Sequence, residues 1–169
     1  MASYSISEVN RMDKSDFVQL FGSVFEETPE IAEQAWAAMP FDDVGDLHRK
    51  MVRLVEEEMT TGEKLALIQA HPELGATRKM AVASVQEQAG VGLDQMNEEV
   101  REQIFKLNAS YREKFGFPFV MAVKGQTLER IKAALESRLA QQKEDEIGRS
   151  LFEIYKIARF RLDDLIETH

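Results

Sequence analysis

The chain contains no cysteine, which excludes a disulfide framework, thiolate metal ligands and a cysteine nucleophile, and fits a reducing compartment. It also lacks any excess of basic charge. The formal net charge is -9 and the Lys and Arg residues are interleaved with acids, so the electrostatic footprint of a nucleic-acid binder is missing. No stretch approaches the roughly 20 apolar residues that a membrane span needs, and the opening MASYSISEVNRMDK has no apolar signal core. The closing Glu167-Thr168-His169 lacks a Ser-Lys-Leu peroxisomal address. These absences lead to the expectation of a cytoplasmic protein that binds neither nucleic acid nor membrane.

What is present is the balance of a globular domain: 169 residues, 44% hydrophobic and 30% charged. A domain of roughly 150 residues buries about 70% of its unfolded surface, so no staple is required to hold it together. Apolar residues recur at helical spacing almost everywhere, while strand-like alternation and hairpin dipeptides are nearly missing. The expectation is an all-α fold, a single-domain multi-helix bundle over residues 1–169.

The first helix is predicted to follow Ser15 as N-cap, with Phe17, Leu20, Phe21 and Phe25 inward, and the next to start at Thr28 before Pro29. A third is predicted from about Asp43 to Met59. Thr60 and Glu63 form a capping box for a short helix, Leu65 to Ala70, that Pro72 ends. Further helices are expected at Val82 to Ala89, Asn97 to Phe115, Leu128 to Leu139 behind Thr127, and after the polar break Gln141 to Asp145 as far as Ile166. The segment Phe117-Pro118-Phe119-Val120-Met121-Ala122-Val123 is apolar, holds a proline and lies between Gly116 and Gly125. It suits a short extended buried connector.

Three places can carry chemistry. His71 stands where an apolar helix meets Pro72, a rigid corner that can aim an imidazole for acid–base work; a histidine capping helix carbonyls has the same sequence. Ser84, Glu87 and Gln88, at i, i+3 and i+4, share one helical face and suit a flat urea-like ligand, as they also suit a solvated face. Arg161 lies roughly 60° from the centre of the stripe Ile147, Leu151, Ile154, Ala158, Leu162 and Leu165. A guanidinium there needs an anion, either a protein carboxylate or a bidentate substrate carboxylate. His48 and His169 read as surface residues, and no ligand stands at metal-binding spacing around His71.

Four segments in order, His71-Pro72-Glu73-Leu74-Gly75, Ser84-Val85-Gln86-Glu87-Gln88 with Gly92-Leu93, Leu107-Asn108-x-x-Tyr111-x-x-Lys114-Phe115-Gly116-Phe117-Pro118-Phe119-Val120, and Ile157-Ala158-Arg159-x-Arg161-Leu162, carry a family likeness. Together they resemble the family of 2-oxo-4-hydroxy-4-carboxy-5-ureidoimidazoline (OHCU) decarboxylases, over the chain from Phe17 to its end. Glu73 stands where that family usually has aspartate, and the stretch from His71 to Ser84 is shorter than in many members. The resemblance implies decarboxylation of OHCU to (S)-allantoin in urate breakdown, by a homodimer. His71 would be the acid/base, Glu87 a substrate partner and Arg161 the carboxylate clamp. Pro72, Ser84, Gln88 and the connector residues Phe119, Val120, Met121, Ala122 and Val123 would line the pocket. Because electrons left by departing carbon dioxide can enter the substrate's own ring, no cofactor or metal is expected. The rival expectation is a non-catalytic helical ligand-binding or protein-interaction module of the same fold.

Overall fold

The computed structural model describes residues 3–74 and 98–167. Among them the secondary structure is helical apart from a single parallel bridge between Tyr4 and Ile166. The chain divides into two compact units, residues 1–67 with 155–169, and residues 68–154.

In the first unit, short capping interactions set where the helices begin. Ser5 and Glu8 exchange hydrogen bonds of 3.1 Å in a capping box at the head of α1 (Ile6–Val9). Helix α2 (Lys14–Phe21) is capped by Asp13, whose carboxylate accepts the Asp16 N–H at 2.8 Å, and not by Ser15 as the sequence suggested. Both residue types cap well, and the charged one also complements the positive end of the helix. The turn after α2 is tight, since a Cβ on Gly22 would lie 2.5 Å from the Val18 carbonyl oxygen.

Helix α3 (Glu30–Trp36) starts at Pro29 without a side-chain cap, because the Thr28 hydroxyl donates backward to the Glu26 carbonyl at 2.8 Å. Helix α4 (Val44–Arg53) is capped by Asp43 and continues into a π-helical turn, Leu54–Glu58, so the helix expected to reach Met59 widens in its last stretch. α2 packs on α3, and α3 on α4 and the π turn. Phe17, Phe21 and Phe41 cluster between them, with ring centroids 4.8 Å (Phe17 to Phe21) and 6.0 Å (Phe17 to Phe41) apart. Burying each such ring contributes roughly 1.5–3 kcal/mol.

Helix α5 (Thr61–Ala70) begins directly behind the predicted capping box, with Thr60 N–H to Glu63 Oε1 at 2.9 Å and the return bond at 3.1 Å. It is therefore about one turn longer than its apolar residues alone indicated.

In the second unit, α6 (Glu98–Phe115) stops at Gly116, whose φ of +82° is the left-handed value at which glycine terminates helices. Helix α7 (Leu128–Leu139) is capped by Thr127, as the sequence predicts, and packs on α6. Helix α8 (Lys143–Leu165) enters the expected polar break early, with Glu144, Asp145 and Glu146 in its first turn where acids are favourable. Tyr111, Phe115, Phe117 and Phe119 form an aromatic cluster with neighbouring centroids 4.5–6.0 Å apart. No helix of the described residues is long and apolar enough to cross a membrane.

Candidate active site

His71 follows the last turn of α5, and its backbone N–H donates to the Ile68 carbonyl at 3.2 Å. Its side chain is buried at 3% exposure. Two residues of α6, one turn apart, pin the corner that Pro72 makes. Asn108 Nδ2 donates to the Leu74 carbonyl at 3.0 Å, and Arg112 Nε donates to Glu73 Oε1 at 2.6 Å. Glu73 thus has a structural partner. The corner holds a buried imidazole in a fixed place, and general acid–base chemistry requires such positioning.

Arg161 is 7% exposed. Its Nη2 meets Glu26 Oε1 at 3.1 Å and its Nη1 donates to the carbonyls of Ser23 and Val24 at 3.3 and 3.2 Å. Of the two anions the sequence allows, the fold supplies a protein carboxylate. The acceptors come from the turn after α2, where Glu27 takes the left-handed φ of 49° that non-glycine residues adopt at a cost. Arg159 lies farther out and pairs with Asp163 at 3.0 Å.

His71 belongs to the second unit and Arg161 to the first. Ser84, Glu87 and Gln88, with the helix expected around them, lie outside the described residues; so does His169.

The connector has neither helical nor strand structure, and Phe119, Val120, Ala122 and Val123 are buried, with Met121 partly open. A polar network holds it. Arg138 of α7 donates from Nη1 to the Val120 carbonyl at 2.7 Å, from Nε to Glu146 at 2.8 Å and from Nη2 to Ser150 at 3.3 Å. Tyr111 donates to the same Glu146 oxygen at 2.5 Å. Burial first, and the bond to Glu146 second, push the Tyr111 phenol well above its ordinary range, so it stays a donor. Glu153 accepts the Ala122 N–H at 2.9 Å and is braced by Arg149 at 2.9 Å.

Sequence reasoning passed over Arg138, Glu146 and Glu153. A signal existed. Arg138 falls in register with the buried Ile131 and Leu135, a charge on the core-facing stripe of its helix.

His48 is not the surface residue that its charged helix suggested. Half-buried, it donates from Nε2 to the Tyr155 carbonyl at 2.8 Å, and burial holds its pKa below the ordinary value.

A family profile described as OHCU decarboxylase matches residues 10–163, crossing both units. The chain is 41% identical over 163 residues to a uric acid degradation bifunctional protein of Bacillus subtilis, covering 96% of this chain and 33% of that protein, so it spans about a third of that relative's length. It is 40% identical to a 2-oxo-4-hydroxy-4-carboxy-5-ureidoimidazoline decarboxylase of Haloferax volcanii, over 96% of each chain. Among solved structures, a crystal structure of OHCU decarboxylase in the presence of (S)-allantoin shares the fold with a TM-score of 0.69 at 20% identity, covering 90% of this chain and 97% of that one.

Proposed function

The chain belongs to the OHCU decarboxylase family, and on that premise we propose that it releases carbon dioxide from OHCU to leave (S)-allantoin in urate degradation, as a cofactor-independent carboxy-lyase. The observation that carries the reading is His71, a buried imidazole on a corner pinned by Asn108 and Arg112, in a chain whose family match is nearly complete.

The substrate bears a hydroxyl and a carboxylate on one ring carbon, beside an imine-like carbon. When the carbon–carboxylate bond breaks, its electron pair enters the ring. One proton then adds to the neighbouring carbon and one to the ring nitrogen that received the imine pair, while the hydroxyl gives up its own and becomes the carbonyl of the product, a net uptake of one proton. His71 manages the hydroxyl proton. The family resemblance assigns the substrate's carboxylate region to Arg161, and the bonds to Glu26, Ser23 and Val24 fix the orientation of its planar fork. Glu87 is a partner for the substrate, and Pro72, Ser84 and Gln88 line the site. The connector from Phe119 to Val123 supplies peptide donors and acceptors while its apolar side chains exclude water. Protonation on one face sets the stereochemistry. The chain works as a single OHCU decarboxylase-like domain, in the cytoplasm, as a homodimer.

The test generates OHCU enzymatically from urate, adds the chain and follows optical activity. An excess of (S)-allantoin is expected, because spontaneous decay yields a racemate. His71→Ala should lose about 100-fold or more in turnover, the scale of general acid–base catalysis. Undiminished turnover by that variant, or a racemic product from the parent, overturns the reading.

A further inference from the structure

Arg138 and Glu153 are 7% and 0% exposed, and both point their charge at the connector's backbone. Replacing a buried ion pair with apolar residues is commonly neutral for stability, so stability alone gives little reason to keep such charges in a core. Their geometry gives a better one. Arg138 takes the Val120 C=O and Glu153 takes the Ala122 N–H, two groups on alternate residues. In an extended chain, alternate residues direct their peptide groups to the same side. With the connector extended, as its sequence predicts, gripping 120 and 122 from the side of α7 and α8 turns the Met121 peptide groups the opposite way. Met121 is also the residue of the 119–123 run that is only partly buried.

The guanidinium cannot drift. It lies 4.4 Å from the Phe119 ring centroid and is tied to Glu146 and Ser150, while Arg149 braces Glu153. We propose that Arg138 and Glu153 are positioning residues: gripping Val120 and Ala122, they hold the connector so that the Met121 peptide faces the ligand. The ligand in question is the OHCU of the preceding section, so this step rests on that reading.

The test uses the full chain with Glu153→Gln, Glu153→Leu and the charge-balanced double variant Arg138→Met/Glu146→Gln. In Glu153→Gln an amide oxygen still accepts the Ala122 N–H, so KM for enzymatically generated OHCU should stay within about threefold of the parent. Glu153→Leu should raise KM about tenfold or more, the loss expected for a hydrogen bond to a charged group. The double variant should do the same with its melting temperature near the parent's, because no charge is left buried alone. A purely structural role predicts the contrary pattern, a smaller active fraction with KM unchanged, and that result overturns the proposal. Amide hydrogen exchange at 120–123 supplies a readout that needs no turnover. It should quicken at least about tenfold in Glu153→Leu relative to the rest of the unit. Exchange at the parent's rate there sinks the positioning claim, whereas absence of OHCU turnover by the parent sinks only the functional reading.

Discussion

The guanidinium of Arg161 meets the carboxylate of Glu26 at 3.1 Å, with the two side chains 7% and 4% exposed. The pair joins α8 to the turn after α2, and each charge answers the desolvation of the other. Removing one partner takes the counter-charge from the other, which for buried pairs costs about 3–5 kcal/mol. Glu26→Ala should lose that much in urea unfolding, and Glu26→Gln clearly less, since its amide oxygen can still accept from Nη2. A loss below about 1 kcal/mol for Glu26→Ala would mean that the pair is effectively solvated.

Asn108 is the hinge pin of the His71 corner. Asn108→Leu leaves the Leu74 carbonyl without its donor in a buried place, at a cost of about 1–3 kcal/mol. Loosening the corner should also lower turnover of OHCU more than Arg112→Gln does, because the Arg112–Glu73 pair is partly exposed. Equal activity of Asn108→Leu and the parent would show that the corner holds its shape without α6.

Burial holds the His48 pKa below its ordinary value, so the folded state favours the neutral ring. Between the depressed folded value and the unfolded value of about 6.5, the unfolded chain binds more protons, and stability must fall as pH falls through that window. Above it the contribution is complete. Unfolding free energies at pH 7.5 and 5.5 should therefore differ less in His48→Gln, which keeps a donor for the Tyr155 carbonyl, than in the parent. The same slope in both proteins would assign the effect to other groups.

At the alkaline end the sign reverses. Burial, then the charge of Glu56, pushes the Tyr155 phenol up to about 12, and burial raises Tyr111 too. A raised phenol pKa stabilises the fold fully below the ordinary value of about 10, and that stability is lost as pH climbs through the folded value. Tyrosinate absorbance should consequently show two phenols that resist ionisation past pH 11 until the chain unfolds, and Tyr111→Phe should leave one of them. Ionisation of both near pH 10 in the folded protein would contradict their burial.

Much of the architecture was legible because helix formation is governed by neighbours three and four residues apart. Thr60 with Glu63, and Thr127 ahead of Arg130, act within that range, and those starts agree with the sequence. The start of α2 was misplaced by two residues, on Ser15 instead of Asp13, because both residue types cap well and packing selects the site. The buried connector was equally readable, since Pro118 and the flanking glycines are local facts. His48 misled because a charged helix face was taken for a solvated one, while the Tyr155 carbonyl that covers it lies 107 residues away.

By itself the sequence determined the helical class, the corner at His71 and Pro72, the apolar connector and the need of Arg161 for an anion, because each follows from spacing or backbone restriction along a few consecutive residues. Only the tertiary structure decided which anion Arg161 meets, which helix pins the His71 corner, and that Arg138 and Glu153 grip the connector. Those partners lie 135, 34, 18 and 31 residues apart, and choosing among so many distant candidates depends on how whole helices pack, which local periodicity does not encode.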